Sequence, residues 1–337
     1  MNTPQPELGV IVPVHNGAGT FAGCLDALSL STFRDFETIV VDDGSSDGSA
    51  KIAERFAVRL ISLEDNRGAA AARNAGAAIS NAPLLFFLDA DIVVPPGLLE
   101  GAVRAMRERP EYSALFCSYT KETVPRDVYS RYKNLVHHWT HQTASAEAVT
   151  FCGGFGLIRR EAFQNVGGFD TGRRFLEDID LGYRLHRAGH RILLAKHLQA
   201  THAKVYTLRS LWRSEVFGRA VPWTRLMLEY RTFRNDLNTR VPNVLSVMTA
   251  CALPVSVVVD PRLRVAGVLA LLFFWCNREL LRLSAREYGL GFAMRSAGLC
   301  WVSCLASALG GCLGVAAWLG DVCHSGAGRL LALARDS

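Results

Sequence analysis

Three acidic clusters carry residue types at spacings that chemistry can use. Asp89 and Asp91, in FFLDAD, close an apolar run. Strand side chains alternate faces, so residues i and i+2 point the same way, and two hard carboxylates together suit a divalent cation bound to phosphate oxygens. A solvated turn is the plainer alternative, since Asp is common where strands stop. Asp42 and Asp43, in VVDDGSSDGS, also end an apolar run. Asp43 can accept hydrogen bonds from the edge of a nucleobase, Gly44 permits a turn, and Asp47 can cap a following helix. Glu177, Asp178 and Asp180 crowd the start of FLEDIDLGYRLHRAGH, a short amphipathic helix. Acids in a first turn complement the macrodipole, and Gly189 is placed to close the helix. Leu176, Ile179, Tyr183 and His186 recur at helical spacing and predict its buried stripe. Position alone does not separate a helix-start acid from a catalytic base.

Arg73 lies in the Ala-rich stretch NRGAAAARNAG. A guanidinium there can fork onto phosphate or onto a carboxylate, or make only a surface ion pair. HHWTH sets His138 and His141 one helical turn apart, but no third ligand stands near them in sequence. An amphipathic or acceptor-facing helix is the better reading. His202 follows the RILLA run and the acidic helix, which makes it a single candidate metal ligand or an ordinary histidine.

These residues need elements to hold them. LGVIVPV (8–14), FETIVVDD (36–43), VRLISL (58–63) and LLFFLDAD (84–91) read as strands buried on both faces. Helices are predicted around 20–28, 48–56 and 68–79, the last opened by Gly68. That alternation argues for an open α/β sheet with helices on both faces. In such sheets ligands bind beyond the carboxyl ends of the strands, where Asp42, Asp43, Asp89 and Asp91 fall. The stretch 110–205 is less regular, and its glycines imply tight turns or close approach of backbone to a ligand.

A chain of 337 residues, half hydrophobic and 20% charged, suits one large domain with an appendage. Its apolar excess gathers after residue 243, in runs 244–259, 265–276 and 297–319. A spanning helix needs about 20 residues, so the last run suffices and the first two are short. A buried helical domain is the alternative. The net charge is +6, and Arg184, Arg187, Arg191, Arg209, Arg213, Arg219, Arg225, Arg231, Arg234 and Arg240 precede the apolar tail, as suits an anionic cytoplasmic membrane face. If the first two runs cross, Arg278, Arg282, Arg286 and Arg295 lie cytosolic, while Arg262 and Arg264 face the other way. No nucleic-acid signature accompanies the basic stretch, so no nucleic-acid partner is expected. Nine cysteines without C-x-x-C spacing read as reduced, buried residues rather than a disulfide framework or zinc site. MNTPQPELGV lacks a basic stretch followed by an apolar core, so a cytosolic domain is expected.

Taken in order, VIVPVHN, VVDDGSSDGS, NRGAAAARNAG, FFLDAD, GGFGLIRREAF, VGGFD and LEDIDLGYRL resemble the family 2 glycosyltransferases over about residues 8–205. The resemblance implies an α/β GT-A fold over 1–225, with a nucleotide half (1–110) and an acceptor half (111–225). An amphipathic linker and two to three hydrophobic membrane helices would follow over 226–337. It also implies inverting transfer of a sugar from a nucleoside-diphosphate donor, UDP- or GDP-linked. Pro13, Asp43 and Arg73 would line the nucleotide, beside Asp42, with Asp89 reaching the diphosphate. Asp89 and Asp91 match the motif that holds Mg²⁺ or Mn²⁺ on the diphosphate; His202, by its position alone, is the further candidate ligand. Asp178 matches the general base, Glu177 would position acceptor or base, and Asp180 would belong to the helix. The chemistry agrees, because a sugar hydroxyl is a poor nucleophile until its proton is taken.

The Q-x-x-R-W motif of processive synthases is missing, and SLWRSEVFGRA (210–220) stands in the comparable region, which argues for single transfer. DADIVVPP only partly resembles the dolichyl-phosphate mannose synthases. A lipid phosphate is already anionic and needs no base, so a hydroxyl on a lipid-linked or cell-envelope glycan at the cytoplasmic membrane is the preferred acceptor. Transfer to a polyprenyl phosphate is the alternative. From other classes, GVIVPVHNGAGTFAG approaches a dinucleotide-binding turn, but its G-x-G-x-x-x-G is one residue off the fingerprint and leaves LDAD and LEDID unexplained. A non-catalytic sugar-nucleotide scaffold would not need Asp178.

Overall fold

The structure, a computed structural model, describes residues 5–232, 240–260 and 262–333. The chain runs β1 (Leu8–Val14), α1 (Ala18–Ser29), β2 (Phe36–Asp43), α2 (Ser49–Ala53), β3 (Arg59–Leu63), α3 (Ala69–Ile79), β4 (Leu84–Leu88), β5 (Ile92–Val93), α4 (Leu98–Glu108), β6 (Tyr112–Thr123), α5 (Val128–Thr143), β7 (Glu147–Ala148), β8 (Phe155–Arg159), α6 (Arg160–Asn165), α7 (Glu177–Arg187) and β9 (Arg191–His202). β1 and β4 are apolar at nearly every position because both faces are covered, whereas β3, expected to be buried on both faces, is the edge strand and stays partly exposed along its length. Leu8, Val10, Val12 and Val14 of β1 pack with Phe21, Cys24, Leu25 and Leu28 of α1 on one side. Ile11, Leu85 and Phe87 face the other side, toward Phe163, Phe169, Leu181 and Leu185.

The strands lie in the order β3-β2-β1-β4-β8-β6-β9-β5, with β7 paired to β9. β3, β2, β1 and β4 are parallel, as expected. Beyond β4 the sheet is mixed, because β8 runs antiparallel to both β4 and β6, while β9 runs parallel to β6. The pairing Leu88↔Phe155 sets the start of β8 against the end of β4. Ile92↔His202 brings the end of β9 beside the strand that follows Asp91. Chain ends from four strands therefore meet at one sheet edge.

Helix α7 ends as its sequence predicts, with Gly189 left-handed at φ +83°. Its buried stripe differs from the expected one. Ile179 and Tyr183 are buried, but Leu176 is half-buried and His186 exposed, and the seam onto the sheet runs through Leu181 and Leu185. Those leucines, four apart, join Phe151, Phe163, Ile192 and Leu194 in one core. Gly182 lets the helix approach this closely, since a Cβ there would sit 2.4 Å from the Phe151 nitrogen.

Described residues up to Val205 form one unit and those from Tyr206 a second, a division earlier in the chain than residue 225. The second unit holds α8 (Leu208–Arg213), a π-helical segment (Ser214–Ala220), α9 (Val221–Tyr230), α10 (Val241–Val259), α11 (Arg264–Tyr288) and α12 (Leu290–Leu333). Pro222 lacks the N–H that would bond the carbonyl four residues back, which accounts for the wider π turn before it. α10 and α12 are long and apolar enough to cross a membrane. The run 265–276 became the first half of α11, which continues through charged residues to Tyr288. Asn277 donates to Ser246 Oγ (2.7 Å) and accepts from Cys300 Sγ (3.1 Å), so a polar knot joins these three helices. Cys24, Cys117, Cys276, Cys300 and Cys304 are buried free thiols; Cys152 and Cys251 are half-buried and Cys312 is exposed. Arg234 and the side chain of Cys323 lie outside the described residues.

Adding a methyl at Gly182 is expected to cost about 1–3 kcal/mol by overpacking. Gly23→Ala on α1, where a Cβ meets nothing within 4 Å, should leave stability unchanged or raise it by roughly 0.5–1 kcal/mol. Thermal melting of the two variants reads both signs.

Candidate functional site

Arg73 is the centre of the site. It projects from α3, is buried at 4% exposure, and stacks over the Phe169 ring with 5.4 Å from Cζ to the ring centroid. One arm of its fork, Nη1, donates to Glu177 Oε1 at 2.5 Å; the other, Nη2, donates to Asp89 Oδ1 at 2.7 Å. Asn74, the next residue, clamps the backbone of Phe169 by donating to its carbonyl (2.7 Å) and accepting from its N–H (3.0 Å). The guanidinium that sequence placed at the nucleotide thus occupies two carboxylates. Asp180, expected to belong to the helix, is buried and paired with Arg184 (2.8 Å) and Arg173 (2.9 Å).

The expected nucleotide residues gather at the carboxyl ends of β1 and β2. Pro13 pairs with Val41, and Val14 with Asp42. Asp42 is buried and accepts from the Ser45 N–H (3.1 Å). Asp43 is buried and accepts from the N–H groups of Arg67 and Gly68, both at 2.8 Å, which ties β2 to the start of α3. The turns after β1 and β2 are laced together. Asn16 accepts from Ser46 N–H, Ser45 accepts from Asn16 N–H, and Asp47 accepts from Ala18 N–H as well as from Ser49. Of the glycines in the dinucleotide-like spacing, Gly19 and Gly23 fall inside α1 with open space around them, and Gly17 lies close to the Val14 side chain.

Asp89 and Asp91 follow β4, and His202 Nε2 stands 3.5 Å from Asp91 Oδ1. Burial raises the Asp91 pKa, but the His202 hydrogen bond and the charges of His202 and Lys204 outweigh it, so Asp91 titrates below the usual range. Asp89 is raised by burial, pulled back by Arg73, and pushed up again by Asp91 and Glu177. Among the described residues no three His, Cys, Asp or Glu side chains gather to hold a metal alone. Two hard carboxylates with open positions fit Mg²⁺ or Mn²⁺ that takes its remaining ligands from phosphate and water. The HHWTH histidines form no pair of ligands. His138 Nδ1 contacts the Tyr119 carbonyl at 2.7 Å, and the His141 ring packs on Phe116 and Tyr119. His137 was the histidine without a signal, yet its ring centroid lies 6.2 Å from that of His202.

Asp178 is partly exposed at the start of α7. Oδ2 accepts from Gly153 N–H (3.0 Å) and Oδ1 from Ile179 N–H (2.8 Å). A helix N-terminus favours the ionised carboxylate. Burial and the neighbouring Glu177 outweigh Arg73 and these two N–H groups, and its pKa rises to about 7. A carboxyl poised there can exchange a proton near neutral pH. Gly153 and Gly154 were read only as turn or close-approach glycines, and here they are packed between the acids. A Cβ on Gly153 would lie 3.1 Å from Asp178 Cβ, and one on Gly154 would lie 2.8 Å from Asp89 Oδ2. A surface cavity of about 580 Å³ near Phe36 and Arg59, the first residues of β2 and β3, opens at the amino ends of these strands, away from the acids.

The family model for Glycosyl transferase family 2 matches residues 9–167. An uncharacterized glycosyltransferase of Haemophilus influenzae is 29% identical over 184 residues, covering 53% of this chain and 61% of that protein. Validoxylamine A glucosyltransferase of Streptomyces hygroscopicus subsp. jinggangensis is 29% identical over 247 residues, covering 60% and 57%. The chain thus spans less than two thirds of the length of either relative. The solved mannosyltransferase of Pyrobaculum calidifontis, in complex with GDP-Man and Mn²⁺, superposes with a TM-score of 0.57 at 20% identity, covering 92% of this chain and 88% of that one. The fold is therefore GT-A-like, followed by C-terminal helices.

Gly154→Ala should press on Asp89 without unfolding the sheet. Mn²⁺ affinity, followed by the free-ion signal in electron paramagnetic resonance, is expected to fall roughly 10- to 100-fold with the circular dichroism spectrum unchanged.

Proposed function

We propose, for a chain that belongs to glycosyltransferase family 2, that it moves one sugar from a UDP- or GDP-linked donor to a hydroxyl of a lipid-linked or cell-envelope glycan, with inversion. One observation carries this reading. The base candidate Asp178 and the diphosphate-side acid Asp89 are built into a single cluster through Glu177, Arg73 and the Gly153–Gly154 turn. Pro13, Asp42 and Asp43 would border the nucleotide at the sheet edge. Asp89 and Asp91, with His202 beside them, would hold Mg²⁺ or Mn²⁺. When bound, that cation would neutralise charge building on the leaving diphosphate.

Asp178 would take the acceptor hydroxyl proton as the oxygen attacks the anomeric carbon from the face opposite the diphosphate. A base with a pKa of about 7 is half-ionised at neutral pH and retains driving force for that transfer. A phosphate acceptor would have no use for it, which supports a hydroxyl. The solved mannosyltransferase holds GDP-Man with Mn²⁺, a precedent for a donor of this class with such a cation.

The second unit would anchor the enzyme in the cytoplasmic membrane. α10 and α12 have the length and composition. The surfaces of α10, α11 and α12 expose Val255, Val258, Val268, Leu271, Trp275 and Met294. The exposed Arg209, Arg213 and Arg231 suit anionic headgroups on the cytosolic side, whereas Arg184, Arg191, Arg219 and Arg225 are held in ion pairs.

Purified protein in detergent, offered a panel of nucleotide sugars with and without Mn²⁺, should release nucleoside diphosphate from one of them when a glycan-lipid is added. A requirement for a polyprenyl phosphate instead would replace the acceptor class. Asp178→Asn should lower kcat by a factor on the order of 10²–10⁴ while nucleotide binding, by calorimetry, persists. The base works deprotonated, so kcat/KM should rise with pH through about 7 and level off above it. A flat profile between pH 5.5 and 8.5, on the order of the window this titration would fill, would remove Asp178 from the role.

A further inference from the structure

Arg73 does more in this structure than line a nucleotide. Its two terminal nitrogens are committed to carboxylates from opposite sides of the site, one after β4 and one at the first residue of α7. Its plane rests on Phe169, whose backbone Asn74 fixes. A forked, planar, permanently charged group can hold two carboxylates at once, which a lysine ammonium on a flexible stem does poorly. The entry to α7 needs such a hold. Leu176, immediately before Glu177, is left-handed at φ +58°, an arrangement that crowds a leucine Cβ against the following carbonyl oxygen. The N-cap residue itself makes no side-chain cap bond. The first turn is anchored from outside the helix by Arg73 on Glu177, by the Gly153 N–H on Asp178 and by Arg173 on Asp180, and of these Arg73 is the one that also reaches Asp89.

We propose that Arg73 is a positioning residue that couples the cation-holding acid Asp89 to the helix carrying Asp178, so that charge placed at one is felt at the other. The proposal rests on the glycosyltransferase reading for its kinetic consequence but not for its binding consequence. Arg73 and a divalent cation share Asp89. When Glu177 is neutral, Arg73 has one carboxylate left and competes harder for it; when Arg73 is gone, Glu177 loses its route to Asp89.

The test is a double-mutant cycle on Mn²⁺ binding alone, read from the free-ion signal, with wild type, Glu177→Gln, Arg73→Gln and the double variant. Glu177→Gln should weaken Mn²⁺ by about tenfold in the wild-type background and by less than about twofold once Arg73 is removed. The same factor in both backgrounds would mean simple long-range charge and would overturn the coupling. Should Arg73→Gln melt near the assay temperature, Arg73→Lys replaces it in the cycle with the same two outcomes. In turnover, Arg73→Lys should lower kcat more than about tenfold with the dissociation constant for nucleoside diphosphate within about threefold. A raised dissociation constant with kcat intact would put Arg73 on the nucleotide and overturn the proposal. A non-additive Mn²⁺ cycle in a protein that turns over no nucleotide sugar would sink the functional reading and leave this one standing.

Discussion

A guanidinium buried to 4% exposure carries its charge out of water and is costly to fold in without anionic partners, and that requirement organises the first unit. Arg73 meets it with Asp89 and Glu177, and Asp178 adds to the field that keeps it protonated. Removing either partner leaves a buried charge half-compensated, which is far costlier than losing a surface ion pair. The elements that supply these carboxylates must therefore arrive together. α3 brings the arginine, β4 the first acid and α7 the second, and the Gly153–Gly154 turn is the thin wall that lets all three close in.

The same crowding sets the chemistry of Asp178. Taken from water and placed beside Glu177, its carboxyl is harder to ionise, and Arg73 recovers only part of the loss. Two N–H donors keep it oriented. The outcome is a group that is neither a permanent anion nor a fixed acid. Asp91 shows the contrast, since His202 and Lys204 keep it ionised despite comparable desolvation. Two acids are thus separated by their neighbours into one that titrates near neutral pH and one that stays ionised.

How much of this was legible in the sequence depends on the range of the contacts. β1, β2 and β4 were legible as apolar runs because their central residues are covered on both faces, and the acids at the ends of β2 and β4 followed; β3 read the same way in sequence but is the half-exposed edge strand, because nothing pairs beyond it. α7 was legible by its acids and Gly189, but its buried seam moved to Leu181 and Leu185 because the sheet, not the helix, decides which face is inside. The mixed half of the sheet carried no clean period. Its register is what sets His202 beside Asp91 and Gly154 beside Asp89, so neither neighbour could be read off spacing. Arg73 illustrates the limit best: a fork onto phosphate and a fork onto carboxylate look alike locally, and Glu177 lies 104 residues away.

The second unit buries a polar knot beside Trp223, Leu226, Phe273, Leu280, Phe292 and Leu299, and also carries large apolar side chains on its surface. Ser246, Asn277, Cys300 and Cys304 bond to one another inside it, while valines, leucines and Trp275 face outward from α10, α11 and α12. In water such helices would turn those residues toward each other, because burying apolar area is the main force available. In lipid that force vanishes between helices, and hydrogen bonds with close backbone approach take its place. Gly310 and Gly314 of α12 provide that approach, lying against Val216, Ala220 and Thr224 so closely that a Cβ on either would collide. The π-helical segment before Pro222 is what faces Gly310, so the irregular backbone there is covered by helix rather than left bare. A hydrogen-bonded knot between helices, small-residue seams and an apolar exterior are what the proposed membrane anchor would need.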